Sequence, residues 1–154
     1  MPRILLVDDE RDLVELLSAL LGMYGYEVVG FTDPLEALQA LDQVNPDVVL
    51  ADLLMPTMTG ASLLGCIDHR SEFAGIPAVL LTGIASGDPT LTQLRTCPGV
   101  GVLEKPCDPE TIAAEVNRLL SEARITPDFR RQAAAARRGL LSCILPTPPS
   151  EQAA

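Results

Sequence analysis

Short, unbroken apolar segments that end in carboxylates place the strongest constraint on how this chain folds. Residues 4–7 (ILLV) lead directly into residues 8–10 (DDE), and residues 48–51 (VVLA) lead directly into Asp52. Segments of this kind are typical of strands that are buried on both faces of a parallel sheet. Ligands of such sheets bind in the crevice at the carboxyl ends of the strands. The pattern therefore predicts an α/β sheet with an acidic site along one edge.

Three carboxylates at one edge repel one another and need a cation. Like charges about 4 Å apart cost about 4 kcal/mol per pair at an effective dielectric constant of 20. A hard, oxygen-seeking ion such as Mg2+ would offset the repulsion among Asp8, Asp9 and Asp52. The alternative is that the acids only cap the following helix, and it fits Asp9 or Glu10 alone. It does not explain Asp52.

Two further apolar segments end in residues that suit phosphoryl chemistry. Residues 77–81 end on Thr82, and residues 100–103 are followed by Glu104 and Lys105. In a chain of alternating strands and helices, the strands of one sheet present their ends at one edge. Asp52 would then be the nucleophile, with Thr82 and Lys105 binding the phosphoryl oxygens. Taken singly, Thr82 could instead satisfy a strand end, and Lys105 could be a solvated loop charge.

With these residues in place, residues 3–124 resemble the receiver domain of bacterial two-component response regulators. The positions that carry the resemblance are Asp8-Asp9, residues 52–60 (DLLMPTMTG), Thr82-Gly83 and Lys105-Pro106. Their order, spacing and strand context all agree with the family pattern. The resemblance implies a stand-alone, chemotaxis-regulator-like phosphoacceptor that acts in signalling rather than as an enzyme.

The resemblance also implies roles for individual residues. Asp52 would accept phosphate from a phosphohistidine on a histidine kinase or histidine phosphotransfer protein. Asp9, Asp52 and the backbone carbonyl of Leu54 would ligate Mg2+, with Asp8 acting through water. Thr82 with Gly83 would sense the phosphoryl group. The Lys105-Pro106 bond would be cis, as it commonly is in the family.

The remaining segments complete a doubly wound, flavodoxin-like domain. Its five parallel strands would have the order 2-1-3-4-5, with residues 26–31 as the second strand. Apolar periodicity and capping residues predict five helices. They cover residues 11–22, 35–44 and 60–70, a short segment from Pro89, and a segment from Pro109. Asp33, Asp88 and Asp108, each followed by proline, are predicted to open the second, fourth and fifth helices. The first helix is predicted to bury an apolar stripe of Leu13, Leu16, Leu17, Leu20 and Leu21.

Three positions depart from the family pattern. Val102 stands three residues before Lys105, where many receivers carry a Tyr or Phe that turns inward on activation. A β-branched side chain is stiff about χ1 and has no ring to move. Leu54 and Ile84 occupy the two positions that tune phosphate lifetime. Neither can orient an attacking water and both can screen the acyl phosphate, which predicts slow self-dephosphorylation.

Composition narrows the class of partner. The 154 residues include 11 basic and 21 acidic side chains, and a net charge of −10 argues against binding nucleic acid through its phosphates. The four cysteines show no metal-binding spacing, which favours reduced thiols and a cytoplasmic location. No signal peptide is apparent, and no apolar segment approaches the ~18 residues of a membrane span. The family resemblance implies a downstream protein partner that binds the face of the fourth helix, fifth strand and fifth helix.

Residues 125–154 form a tail with several interpretations. Asp128 could cap a helix from Phe129 to about Leu145, before a Pro-rich end at residues 146–149. Four arginines against two acids give the tail a net charge of +2, which leaves −12 on residues 1–124. The tail could be loosely ordered. It could also dock on the receiver, pair with a second copy, or meet a membrane or partner groove as a basic helix. A homodimer could form through this helix or through the fourth-helix face.

Other function classes fit the residues less well. A receiver-like interaction module would keep the fold without using phosphate, and Val102 is compatible with that. A metal-dependent aspartyl phosphatase would need a second acid at the position of Leu54. A flavin binder would need a hydroxyl- and Gly-rich loop at residues 8–10. The chain could also be a piece of a longer regulator.

Overall fold

The sheet is five-stranded and wholly parallel. The computed structural model describes residues 1–83 and 89–144. Neighbouring strands follow the order β2-β1-β3-β4-β5, which confirms the predicted doubly wound topology. The strands are β1 Arg3–Val7, β2 Glu27–Phe31, β3 Val48–Asp52, β4 Ala78–Thr82 and β5 Val100–Glu104.

Seven helices flank the sheet within the described ranges, where five and a tail helix were predicted. They are α1 Arg11–Met23, α2 Pro34–Gln39, α3 Leu41–Val44, α4 Gly60–Asp68, α5 Pro89–Arg95, α6 Pro109–Ile125 and α7 Phe129–Ile144. The single helix predicted for residues 35–44 is wrong, because the chain breaks at Ala40. The N–H of Ala40 is shared between the carbonyls of Glu36 and Ala37, which tightens the last turn of α2.

Local capping explains where several helices begin. Asp33 accepts a hydrogen bond from the N–H of Leu35 (2.9 Å) ahead of Pro34. Asp108 accepts one from the N–H of Thr111 (2.7 Å) ahead of Pro109. The side-chain acceptor satisfies an N–H group of the first turn, and the proline that follows has a φ suited to a helix. The starts of α2 and α6 could therefore be predicted from the sequence. Asp88, predicted to open the fourth helix, lies outside the described residues.

Alternate residues of each strand pack on opposite faces of the sheet. Leu5 and Val7 face α2 to α5, whereas Ile4 and Leu6 face α1 and α6. Burial on both faces requires the continuous apolar segments seen in the sequence. Leu16 departs from the apolar stripe predicted for α1, since it is 55% exposed.

The strand register brings the predicted site residues to one edge. Val7 pairs with Ala51, so the residues that follow them, Asp8 and Asp52, are neighbours. Thr82 pairs with Glu104, so Lys105 lies one residue beyond. At the opposite edge of the sheet, α7 packs against α4, α5 and α6. Within residues 1–83 and 89–144, no helix has the length and apolarity needed to span a bilayer.

Candidate functional site

Three carboxylates converge where β1 and β3 end. Oxygens of Asp8, Asp9 and Asp52 all lie within 4.8 Å of one another. Asp8 is 1% exposed and Asp52 is 8% exposed, whereas Asp9 is open to solvent. One oxygen of Asp8 accepts a hydrogen bond from the N–H of Glu10 (2.9 Å), which orients the buried carboxylate. The predicted acidic cluster is therefore present in the folded chain.

Lys105 forms ion pairs with two of these carboxylates. Its Nζ lies 3.1 Å from Oδ2 of Asp8 and 3.3 Å from Oδ2 of Asp52. Lys105 is the only lysine in the chain. Its backbone N–H donates to the carbonyl of Thr82 (2.7 Å), and the Lys105-Pro106 bond is cis, as expected. The ammonium group is thus held over the acids by the end of β5.

Burial and charge act in opposite directions on the two ends of this ion pair. Burial raises the pKa of Asp52, and the charge of Asp8 raises it further. Lys105 and the backbone of Leu54 oppose the rise without cancelling it. Burial lowers the pKa of Lys105, but its contacts with Asp8 and Asp52 outweigh burial, and the pKa of Lys105 is raised. The lysine therefore stays cationic at neutral pH, while the ionised form of Asp52 is disfavoured.

Thr82 lies at the end of the strand that neighbours β5. It is the last residue of β4, and it is fully buried. Gly83 follows it and is exposed. Ile84, predicted to tune phosphate lifetime, lies outside the described residues.

Two other predicted positions differ in their surroundings. The side chain of Leu54 is 55% exposed, two residues after Asp52. Its carbonyl remains a predicted metal ligand. Val102 is 8% exposed and belongs to the same apolar cluster as Leu91 and Leu94 of α5. An aliphatic core residue therefore fills the position at which many family members carry an aromatic ring.

The acidic cluster suits a hard divalent cation. Mg2+ binds oxygen at about 2.0–2.1 Å, so opposite ligands lie about 4.2 Å apart. The oxygens of the cluster lie within 4.8 Å of one another, which is close to this separation. All three donors are carboxylates, which favours Mg2+ over softer metals. Bound metal would compete with Lys105 for Asp8 and Asp52.

The pairing of Lys105 with Asp8 was missed from the sequence. The sequence predicted that Lys105 binds phosphoryl oxygens, but it did not predict that Lys105 pairs with Asp8 when no phosphoryl group is bound. The available signal was the presence of one lysine in an acidic chain, because a lone cation next to buried acids tends to pair with them.

Comparison with known proteins agrees with the fold. The family model described as the response regulator receiver domain matches residues 4–117. Protein Rrf1 from Nitratidesulfovibrio vulgaris is 31% identical over 127 residues, covering 82% of this chain and 88% of Rrf1. The DNA-binding dual master transcriptional regulator RpaA from Synechocystis sp. is 27% identical over 144 residues, covering 94% of this chain and 59% of RpaA.

Solved structures show the same similarity. The chemotaxis protein CheY4 from Vibrio cholerae superposes with a TM-score of 0.70 at 32% identity, covering 77% of this chain and 98% of CheY4. Against the first curated relatives that it matches, the chain spans between 18% and 59% of their length. The parallel sheet, the convergent acids with Lys105, and the match over residues 4–117 lead to one conclusion: the chain belongs to the response regulator receiver domain family.

Proposed function

We propose that this protein is the phosphoacceptor of a two-component phosphorelay, with Asp52 as the acceptor. The observation that carries the proposal is the geometry around Asp52. Its carboxylate lies within 4.8 Å of those of Asp8 and Asp9, and 3.3 Å from the ammonium of Lys105. Buried carboxylates beside one cation and a hydroxyl match what phosphoryl transfer needs.

The transfer uses the carboxylate of Asp52 as the nucleophile. An oxygen of Asp52 bonds to phosphorus as the P–N bond of a donor phosphohistidine breaks, which leaves an aspartyl phosphate and a neutral imidazole. Lys105 turns from Asp8 to the new phosphoryl oxygens, and the Thr82 hydroxyl donates to them. Asp8, Asp9, Asp52 and the Leu54 carbonyl would hold Mg2+, which when bound neutralises the charge that develops on the phosphoryl group. The chain takes up phosphate stoichiometrically and is not an enzyme.

The donor is a histidine kinase or histidine phosphotransfer protein. Its docking is supported by apolar side chains on α1, which begins two residues after Asp9. Leu16 is 55% exposed and Met23 is 81% exposed on this helix. Leu16, in the first half of α1, offers contact area to a partner helix near the acceptor, whereas Met23 lies at the far end of the helix. A downstream protein, or a second copy, would bind the face formed by α5, β5 and α6. These elements correspond to the predicted fourth helix, fifth strand and fifth helix.

The location proposed is the cytoplasm. Cys66, Cys97 and Cys107 are free thiols in the described part of the chain. Proteins of oxidising compartments commonly pair their cysteines, whereas cytoplasmic proteins keep them reduced.

One observation favours a second function, that of a phosphate-independent interaction module. Val102 is packed beneath α5 and has no ring that could respond to Thr82. A module of this kind would bind its partner equally well with Asp52 replaced.

Phosphoryl uptake separates the two functions. The protein is incubated with Mg2+ and acetyl phosphate and its intact mass is measured, with Asp52→Asn as the control. One added phosphoryl group that is absent from the variant supports the phosphoacceptor. A protein that takes up none, or a variant that takes up as much, contradicts it and favours the interaction module.

The decay of the adduct tests the Leu54 argument. We expect slow hydrolysis, because Leu54 presents no group that can orient water. Leu54→Asn should shorten the lifetime by about tenfold, which is less than the roughly 10²–10⁴ provided by a well-placed general base. Leu35→Asn is the control, since Leu35 is also half exposed and opens α2 after its cap Asp33. A wild-type half-life of seconds would contradict the prediction.

A further inference from the structure

A fully buried arginine anchors α7 to the receiver. Arg137 is 0% exposed, and its Nε donates to Oδ2 of Asp68 (3.0 Å) while a second guanidinium nitrogen contacts Oδ1. Its remaining nitrogen donates to the carbonyl of Ile76 (2.7 Å). Two parallel bonds to a carboxylate fix both the position and the orientation of the guanidinium. Arg137 therefore joins α7 to the end of α4 and to the segment that enters β4.

The first turn of α7 contacts two glycines on the same side of the sheet. Gly75 has φ +76, and a Cβ there would overlap the backbone carbonyl of Arg130. Gly99 has φ +77, and a Cβ there would lie 3.0 Å from the ring of Phe129. Phe129 is 6% exposed and Ala133 is fully buried. The helix can therefore pack closely on this surface because Gly75 and Gly99 have no side chains.

The segments held by α7 lead directly to the site at the opposite edge. Ile76 precedes β4, which ends on Thr82. Gly99 precedes β5, after which comes Lys105.

The third held segment is α4, which runs from the site to Asp68. Its first residue, Gly60, donates its N–H to the carbonyl of Leu53 (2.8 Å), the residue next to Asp52. Each segment that α7 holds at the amino edge therefore carries or adjoins a site residue at the carboxyl edge.

The docked arrangement fits the site without phosphate. Here Lys105 bridges Asp8 and Asp52. A phosphoryl group on Asp52 would put bulk and negative charge where the ammonium now lies, so Lys105 has to move. β5 connects Lys105 to the turn under Phe129, which gives this movement a direct path to the contacts of α7.

We propose that α7 is a strap whose docking on α4, β4 and β5 opposes phosphorylation of Asp52, so that phosphorylation releases the helix. The inference rests on the proposed function of Asp52. Coupling between two sites is reciprocal, so loosening α7 also favours the phosphorylated arrangement. The strap lies at the amino ends of the strands, whereas the acids lie at their carboxyl ends. Its release would not require an aromatic side chain at position 102.

Cys97 is chosen as the reporter of α7 docking, because the turn that contains it also contains Gly99, which lies against Phe129 of α7. Cys97 is 6% exposed in the turn before β5, and Arg137 and Asp68 are its charged neighbours. A buried thiol reacts only in molecules in which its cover has opened, so its alkylation rate follows the fraction of undocked helix.

The experiment compares Cys97 alkylation before and after phosphorylation of the full wild-type chain. The protein is treated with N-ethylmaleimide, with or without Mg2+ and acetyl phosphate, and glutathione in the same tube serves as the reference thiol. Peptide mass spectrometry reads the Cys97 peptide, and intact mass reads phosphoryl uptake. Phosphorylation should accelerate alkylation of Cys97 by about fivefold or more, the lower end of typical coupling between sites.

The outcomes separate the strap from the proposed function. Phosphorylated protein with unchanged or slower Cys97 alkylation overturns the strap alone. A protein that takes up no phosphoryl group overturns both proposals. Accelerated alkylation in the phosphorylated chain supports both.

A variant pair tests the reverse direction. Arg137→Ala should bind the phosphoryl mimic trifluoroberyllate, with Mg2+, about fivefold or more tightly than wild type. Arg131→Ala is the matched control, because Arg131 is an exposed arginine of the same helix paired with Asp128. Equal affinities in folded Arg137→Ala and Arg131→Ala contradict the strap. If Arg137→Ala does not fold, the alkylation of Cys97 in the wild-type protein still tests whether phosphorylation releases α7.

Discussion

Asp52 lies where its own charge is unfavourable. It is 8% exposed and adjoins a second buried carboxylate, Asp8, and burial raises its pKa despite the contact with Lys105. A carboxyl group whose pKa is raised by folding binds its proton more tightly in the folded chain than in the unfolded chain. Ionised Asp52 therefore lowers the stability of the protein at neutral pH, as is common for residues placed for function.

Replacing this carboxylate should stabilise the fold. In Mg2+-free buffer at pH 7, we expect Asp52→Asn to raise the free energy of unfolding by about 0.5–2 kcal/mol. Because the folded-state pKa of Asp52 is raised, the advantage of the variant should shrink as pH falls through that pKa toward the unfolded value. Urea unfolding of both proteins between pH 7 and pH 4 measures it.

Asp12→Asn provides the control for this series. Asp12 is an exposed acid of α1 and lies outside the acidic cluster. An Asp52→Asn protein that is less stable than wild type at pH 7 would show that Asp52 is better paired than its position indicates.

At the scale of the element, a fully buried arginine anchors α7 to the receiver. The guanidinium of Arg137 is fully buried against Asp68, whose side chain is 14% exposed. Breaking a buried ion pair by removing one partner leaves the other charge without compensation. The anchor therefore specifies where the helix lies.

Arg137→Ala should destabilise the protein by about 3–5 kcal/mol, the usual cost of leaving a buried charge unpaired. Arg131→Ala should cost about 0–1 kcal/mol, because the Arg131–Asp128 pair is exposed to solvent. Urea unfolding followed by circular dichroism gives both values. Similar losses in the two variants would indicate that α7 does not dock in solution.

At the scale of the whole molecule, excess negative charge makes the fold sensitive to divalent cations. The chain has a net charge of −10 and gathers Asp8, Asp9 and Asp52 within 4.8 Å. A ligand that binds only the folded state raises the free energy of unfolding, and the gain grows with the logarithm of the ligand concentration above its dissociation constant.

Mg2+ should therefore raise the thermal stability of the wild-type protein. At ten times its dissociation constant, the ion adds about 1.4 kcal/mol to the free energy of unfolding. Asp9→Asn should lose most of this gain, whereas Glu10→Gln should keep it, since Glu10 is an adjacent acid outside the cluster. Thermal unfolding with Mg2+ and with EDTA measures the effect. An equal Mg2+ response in both variants would argue against the proposed ligands.

The strands, their order and the convergence of the acids at one edge of the sheet were predictable from the sequence. Buried parallel strands must be continuous apolar segments, and parallel strands present their carboxyl ends together, so local pattern and topology suffice for Asp8, Asp52, Thr82 and Lys105. Helix starts at Asp33 and Asp108 were also readable, because capping depends on neighbouring residues. The break at Ala40 was not, since it depends on a shared hydrogen bond that propensity does not indicate.

Ion pairs between residues far apart in the chain could not be predicted, because only the folded protein brings their partners together. Lys105 meets Asp8 across 97 residues, and Arg137 meets Asp68 across 69 residues. No pattern in the sequence selects one acid among 21 as the partner of a given cation. The tail left several interpretations open in sequence because no local pattern shows which of its four arginines is buried. The fold buries one of them, because only the assembled sheet brings Asp68, the Ile76 carbonyl and two glycines together beneath α7.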